Sequence, residues 1–257
     1  MPASTKLQEK YGDDVQVIFV ECQGTARDVW EAFAWKMKWM GNRAMWTTER
    51  PIPTVGQGLP EVALIGVDGN VVLQGYPGDL GKKLDTALVA EIAKSKDAPP
   101  GTPNELKKAW KTFQKGDVAA AIAEAEKIGG EAADKAKADF VARTDTKVKR
   151  AKWLIDNGYV AEAEKLVESL EKGVGAHADL APKIAEQKAR LASADLTNER
   201  EADKAFAFFV KGVAKEKPFE DANVKKAQSI ATKYAGTKTA ARAERFVALS
   251  KVKFNNA

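Results

Sequence analysis

The sequence predicts two folds in series: an α/β domain over residues 1–96 and an all-α domain of helical hairpins over residues 103–257, joined by a linker at 97–102. Three observations carry this. Val62 to Val67 and Val71 to Leu73 are short β-branched runs around Asp68-Gly69, a dipeptide that accepts the positive φ of a tight hairpin turn. Pro99-Pro100-Gly101 interrupts the chain just before residue 103. From there on the composition turns to Ala, Lys and Glu with a helical period. Charge changes at the same place. Residues 1–100 hold 11 Lys+Arg and 13 Asp+Glu, a net −2, and the remainder is +7.

Along the first domain, Met1 to Lys10 reads as the tail of a helix, with Leu7 and Tyr11 four apart and Gly12 as its stop. Val15-Gln16-Val17-Ile18-Phe19-Val20 reads as a buried strand, too apolar to own a solvent face. Thr25 and Asp28 start a helix carrying Val29, Phe33, Met37 and Met40 on one stripe and Trp35 and Trp39 on another, ended by Gly41-Asn42. This Trp/Met surface packs on the sheet, with a partner groove or packing on the second domain as the alternative. Thr47 to Gly58 is a loop, Pro60 precedes the first hairpin strand, and Leu80 to Lys94 is a helix that Asp79 would cap.

Pro60, two strands about Asp68-Gly69 and a following helix resemble the C-terminal ββα half of the thioredoxin fold. Leu7 to Tyr11 followed by Val15–Val20 resembles the segment directly after that family's redox motif. The resemblance implies an α/β thioredoxin-like domain, N-terminally incomplete, with thiol–disulfide exchange as the family activity. It implies a cis Leu59-Pro60 bond, with Leu59 and Pro60 binding an extended thiol substrate. The family's Cys-x-x-Cys is absent. Cys22 is the only cysteine, so no catalytic residue is assigned. Cys22 has no Lys, Arg or His within two residues to favour a thiolate, and it reads as a packed thiol. As written, the chain is not expected to turn over disulfides, because a mixed disulfide on Cys22 has no second thiol to release it.

In the second domain, Thr102-Pro103-Asn104-Glu105 supplies a helix start. Breaks at Gly116, Gly129-Gly130, Gly158, Gly173–Gly175, Pro182, Pro218 and Gly236 leave about seven or eight helices of ordinary length. Ala109, Phe113, Gly116, Val118, Ala119, Ala121 and Ile128 are echoed 42 residues later by Ala151, Ile155, Gly158, Val160, Ala161, Ala163 and Leu170. Each copy reads as helix, glycine corner, Ala-rich helix. Lys233 to Val247 is a looser third hairpin. The segment is similar to tetratricopeptide-type repeats, which implies protein binding; an irregular helical bundle is the alternative.

Composition narrows the rest. One histidine, His177, in a Gly/Ala/Asp loop and one cysteine leave no metal motif and no cofactor motif. Asp68 is explained by its turn. The basic run from Lys135 to Lys152 is broken by aspartates and short of aromatics, so it reads as a solvated helix face and not a nucleic-acid interface. No apolar run reaches the ~20 residues of a membrane span, and Met1 to Lys10 holds no signal-peptide core. Two functions follow: a redoxin-family role in thiol–disulfide exchange with a protein substrate, or a non-catalytic module that binds a protein partner. Compartment and oligomeric state are open.

Overall fold

The computed structural model describes residues 2–40, 44–56, 58–213 and 217–253. Two units divide the chain: Met1–Trp30 with Trp39–Thr102, and Glu31–Lys38 with Pro103–Ala257. The first seven elements are α1 (Pro2–Tyr11), β1 (Phe19–Glu21), α2 (Arg27–Lys36), β2 (Ala44–Trp46), β3 (Val62–Ile65), β4 (Val71–Gly75) and α3 (Pro77–Ser95).

The expected thioredoxin-like α/β fold is not what this chain adopts. The structure is 65% helical and, among the described residues, holds two separate two-stranded sheets. β1 pairs parallel with β2, Phe19 opposite Ala44 and Glu21 opposite Trp46, with α2 as the crossover that parallel strands require. β3 pairs antiparallel with β4, Val62 opposite Gly75 and Leu64 opposite Leu73. The reason lies in local partners. The Val17 N–H donates to Oε1 of Gln8 at 2.7 Å and not to a neighbouring strand, so the Val15–Val20 run contributes only its end to a ladder. That end pairs with Ala44–Trp46, a strand the sequence reading missed. Ile18 and Val20 are exposed, so the run does have an outward face. Phe19 stacks on Trp39 at 4.0 Å, and Trp39 lies 5.8 Å from Trp30, which gives this pair its core. The second helix ends earlier than expected: α2 stops at Lys36 and Lys38 takes φ +62°, so Met37, Trp39 and Met40 lie beyond the helix, while Gly41-Asn42, the expected stop, lies outside the described residues.

The hairpin at Asp68-Gly69 is present. Gly69 takes φ +82°, its N–H donates to the Gly66 carbonyl, and Gly66 N–H donates to Asn70 O at 2.8 Å. This is a type I turn closed by a left-handed glycine, so the loop is one residue longer than the two-residue turn. Glu91 on α3 is buried, and its carboxylate accepts the Val67 N–H at 3.1 Å, tying the helix to the turn. Asp79 lies in the first turn of α3; Tyr76 holds the cap position and Pro77 the first helical one.

The second unit holds α4 (Lys107–Gln114), α5 (Val118–Ile128), α6 (Glu131–Asp156), α7 (Val160–Val174), α8 (Ala181–Ala192), α9 (Thr197–Val213), α10 (Asp221–Lys233) and α11 (Lys238–Leu249). The start expected at Thr102–Glu105 is a 3-10 turn, Asn104–Leu106, that buries Leu106 before α4 begins. Pro182 sits in the first turn of α8 and does not break it. A break the sequence reading missed falls at Ser193, whose hydroxyl accepts from the Asp195 N–H.

The 42-residue echo is copied in the backbone. Gly116 N–H donates to Phe113 O, as Gly158 N–H does to Ile155 O; Asp117 N–H donates to Thr112 O, as Tyr159 N–H does to Leu154 O. Both corner glycines have positive φ, +92° and +75°. Ala109, Ala121, Ala151 and Ala163 are fully buried, which lets the helices of each hairpin approach closely. Gly173 on α7 goes further: a Cβ there would lie 1.9 Å from the Gly116 carbonyl oxygen. Two aromatic clusters fill the remainder. Phe140 meets Trp110 edge-on at 4.8 Å and stacks on Phe113 at 4.6 Å; Phe246 meets Phe209 at 5.0 Å and Phe219 at 5.1 Å. Residues 31–38 group with this unit, where Trp35 stands edge-on to Phe246 at 4.8 Å and Glu31 accepts from Nε of Arg245 at 2.7 Å.

Candidate functional site

The structure does not draw the sequence-predicted residues into one site. Cys22 is half-buried just past β1, in a turn held by Glu21, whose carboxylate accepts the N–H groups of Gln23 at 2.7 Å and Thr25 at 3.3 Å. Leu59 and Pro60 are exposed, and the bond between them is cis. They precede β3, so they belong to the antiparallel hairpin while Cys22 belongs to the parallel pair. The loop ahead of Pro60 is held by Gln74, which donates to Pro53 O at 2.6 Å, and by Glu61, which accepts from Val55 N–H at 2.9 Å. Chemically this unit offers one thiol, able to form one mixed disulfide. Among the described residues no group of His, Cys, Asp or Glu is arranged to hold a metal ion, and no helix is long and apolar enough to cross a membrane.

The densest polar constellation is in the helical unit, and the sequence reading missed it. Glu199 and Asp203 lie one turn apart on α9, both buried. Glu199 accepts the N–H groups of Lys238 at 2.7 Å and Thr239 at 2.9 Å, capping α11. Asp203 accepts the Ala161 N–H at 3.0 Å, capping α7, where Tyr159 occupies the cap position and has no acceptor to offer. Two carboxylates on one helix thus meet the positive ends of two others. Arg242 closes the group, donating to Gly158 O at 2.8 Å and Asp203 Oδ1 at 3.0 Å while its guanidinium lies 4.2 Å over the Tyr159 ring. Gly158 leaves room for all of this: a Cβ there would lie 2.5 Å from Glu199 Oε1. Every carboxylate here is spent on helix ends and on Arg242, so the cluster is a clamp between hairpins. The available signal was an acidic pair four apart on the apolar stripe of Ala202, Phe206 and Phe209.

Two aromatic side chains stand out from this frame. Trp153 is 55% exposed and stacks on Tyr159 at 5.7 Å, and the Tyr159 ring in turn lies under Arg242. Phe208 on α9 is 80% exposed. His177, by contrast, serves its own turn, Nδ1 accepting the Asp179 N–H at 3.3 Å. The basic run on α6 is laced by pairs such as Arg143–Asp139, Lys149–Asp145 and Lys152–Asp156.

No protein-family model, curated protein or solved structure matches this chain.

Proposed function

We propose that the chain is a non-catalytic protein-interaction module whose helical hairpins, of tetratricopeptide-like kind, present the surface a protein partner binds. The observation that supports this reading is Trp153. Trp153 is exposed near the Gly158 corner of the repeated hairpin and stacks on Tyr159, whose own ring lies under the Arg242 guanidinium. Rigid, exposed Trp is the side-chain type that most often dominates protein-binding energy, because it brings large area at little entropic cost. The repeated corners, locked by Gly173 and by the Glu199–Asp203 clamp, hold that ring in a fixed place.

The test is affinity purification from the native host with the full chain and with Trp153→Ala. Since Trp153 is exposed, the variant keeps its helical circular dichroism and melting temperature. A defined set of proteins retained by the parent and lost from the variant is expected. The same set on both, or on neither, sinks the reading.

A further inference from the structure

We infer that the seam between α9 and α10 binds an acidic peptide segment bearing an apolar side chain that packs on Phe208; this rests on the interaction-module reading and names the partner's chemistry. The first half of α9 lies against the C-terminal end of α10, since Ala202 and Ala205 cluster with Ile230 and with Tyr234 just past α10. The other ends meet too, for Phe209 and Phe219 share Phe246. The helices are therefore antiparallel. With the core stripes Ala202–Phe209 and Ala227–Tyr234 fixed, helical phase sets Phe208 on the outer side of α9 nearest α10, opposite Lys226. Lys204 and Lys211 flank Phe208 on its own helix at the spacing of one face. Lys233 lies farther along the seam, near Glu201 and over the Tyr234 ring.

The seam's charge is what selects the occupant. Lys204, Lys211 and Lys226 are exposed and make no ion pair among the described residues, so their charge is open to an anionic occupant. α10 itself carries Lys225, Lys226 and Lys233 and, after Asp221, no Asp or Glu. Three lysines, Lys204, Lys211 and Lys226, around one protruding phenyl ring complement carboxylates spaced around an apolar anchor. A lipid surface demands a broader apolar face than Phe208 with its neighbouring alanines. Single-stranded nucleic acid demands successive stacking rings, and this seam exposes one.

The experiment is fluorescence anisotropy of the full chain with a short fluorescein-labelled peptide of glutamates and leucines. A lysine-and-leucine peptide, oligothymidylate and phosphatidylserine vesicles are the comparison probes. The glutamate–leucine peptide is expected to bind best, and Phe208→Ala to weaken it about 10-fold, the equivalent of ~1.4 kcal/mol. Lys204→Glu with Lys211→Glu is expected to do the same, and added salt to weaken the parent progressively. All variants change exposed residues, and unchanged circular dichroism verifies their fold. No binding of the acidic peptide, equal binding by Phe208→Ala, or tighter binding of oligothymidylate or vesicles overturns the inference. Trp153-dependent partners that persist after any of these results leave the broader reading standing; their absence removes that reading by itself.

Discussion

The two units handle apolar side chains in opposite ways. In the first, Trp30, Trp39, Leu80 and Leu88 are the large apolar side chains buried among the described residues. Eleven of the sixteen exposed large hydrophobics belong to it, including Ile65, Val67, Val71 and Val72 on one hairpin. A two-stranded ribbon has two faces and two open edges, and one helix covers part of one face. In the second unit, each helix meets neighbours on several sides, and Phe140, Leu180, Val160 and Phe246 are almost wholly buried. The difference teaches that strand-forming sequence does not enclose a core until strands share a sheet. Helical hairpins enclose theirs as each copy is added.

That comparison breaks most visibly through truncation. Phe140→Ala should cost ~3–5 kcal/mol, because it empties a ring site packed by Trp110 and Phe113. Ile65→Ala, exposed on the hairpin, should stay within ~0.5 kcal/mol. Urea unfolding followed by circular dichroism separates the two, and equal costs would remove the contrast between units. Next in size is Gly173→Ala. The added methyl meets the Gly116 carbonyl, a backbone atom that cannot swing aside. Overpacking of this kind costs about 1–3 kcal/mol. A variant as stable as the parent would mean that the α4–α5 corner does not sit against α7.

Much of the helical unit was legible in the sequence because its rules are local. Glycine corners, alanine at hairpin contacts and the 42-residue echo each act within a turn or two of chain, and the backbone bonds at Gly116 and Gly158 repeat together. The hairpin at Asp68-Gly69 was legible for the same reason. What was not legible is long-range pairing. The Val15–Val20 run has strand-forming residues, but which strand it meets depends on Gln8 taking the Val17 N–H and on Ala44–Trp46 being near. The thioredoxin-like resemblance was a matter of element order, and order does not state pairing. The clamp of Glu199, Asp203 and Arg242 was hidden similarly, since its bonds join residues 39 to 84 positions apart.

The clamp gives the next prediction. Glu199→Gln keeps the shape and an acceptor but removes the charge at the start of α11, and Glu199→Ala removes both. With the Lys238 and Thr239 N–H groups left without their acceptor, Glu199→Ala should cost ~1–3 kcal/mol. Glu199→Gln should retain part of that stability. Hydrogen exchange at the first amides of α11 should speed up in the alanine variant ahead of those in α6. Uniform acceleration across both helices would show that the clamp acts globally, with no special hold on α11.

The smallest effect concerns the surface pairs that join α6 to α8, and it sharpens the comparison by asking how much of the helical unit's stability is electrostatic. Lys183, then Lys149, holds the Asp145 carboxyl below the usual carboxylate range; Arg190, then Lys152, does so for Asp156. A depressed folded-state value means that the unfolded chain takes up these protons first as pH falls. The stabilisation is therefore complete above the unfolded value near ~3.9 and is lost as pH drops through the lower folded values. Each such exposed pair contributes less than about 1 kcal/mol, since water and salt screen it. Asp145→Asn with Asp156→Asn should accordingly be slightly less stable than the parent at pH 7, by an amount that stays constant down to about pH 5. Below about pH 4 the gap should begin to close, and 1 M salt should bring the two proteins together at pH 7 as well. A gap that does not narrow at all as pH falls below about 4 would mean that the aspartates act through packing, and an absent gap at pH 7 would mean that burial alone holds α6 and α8 together.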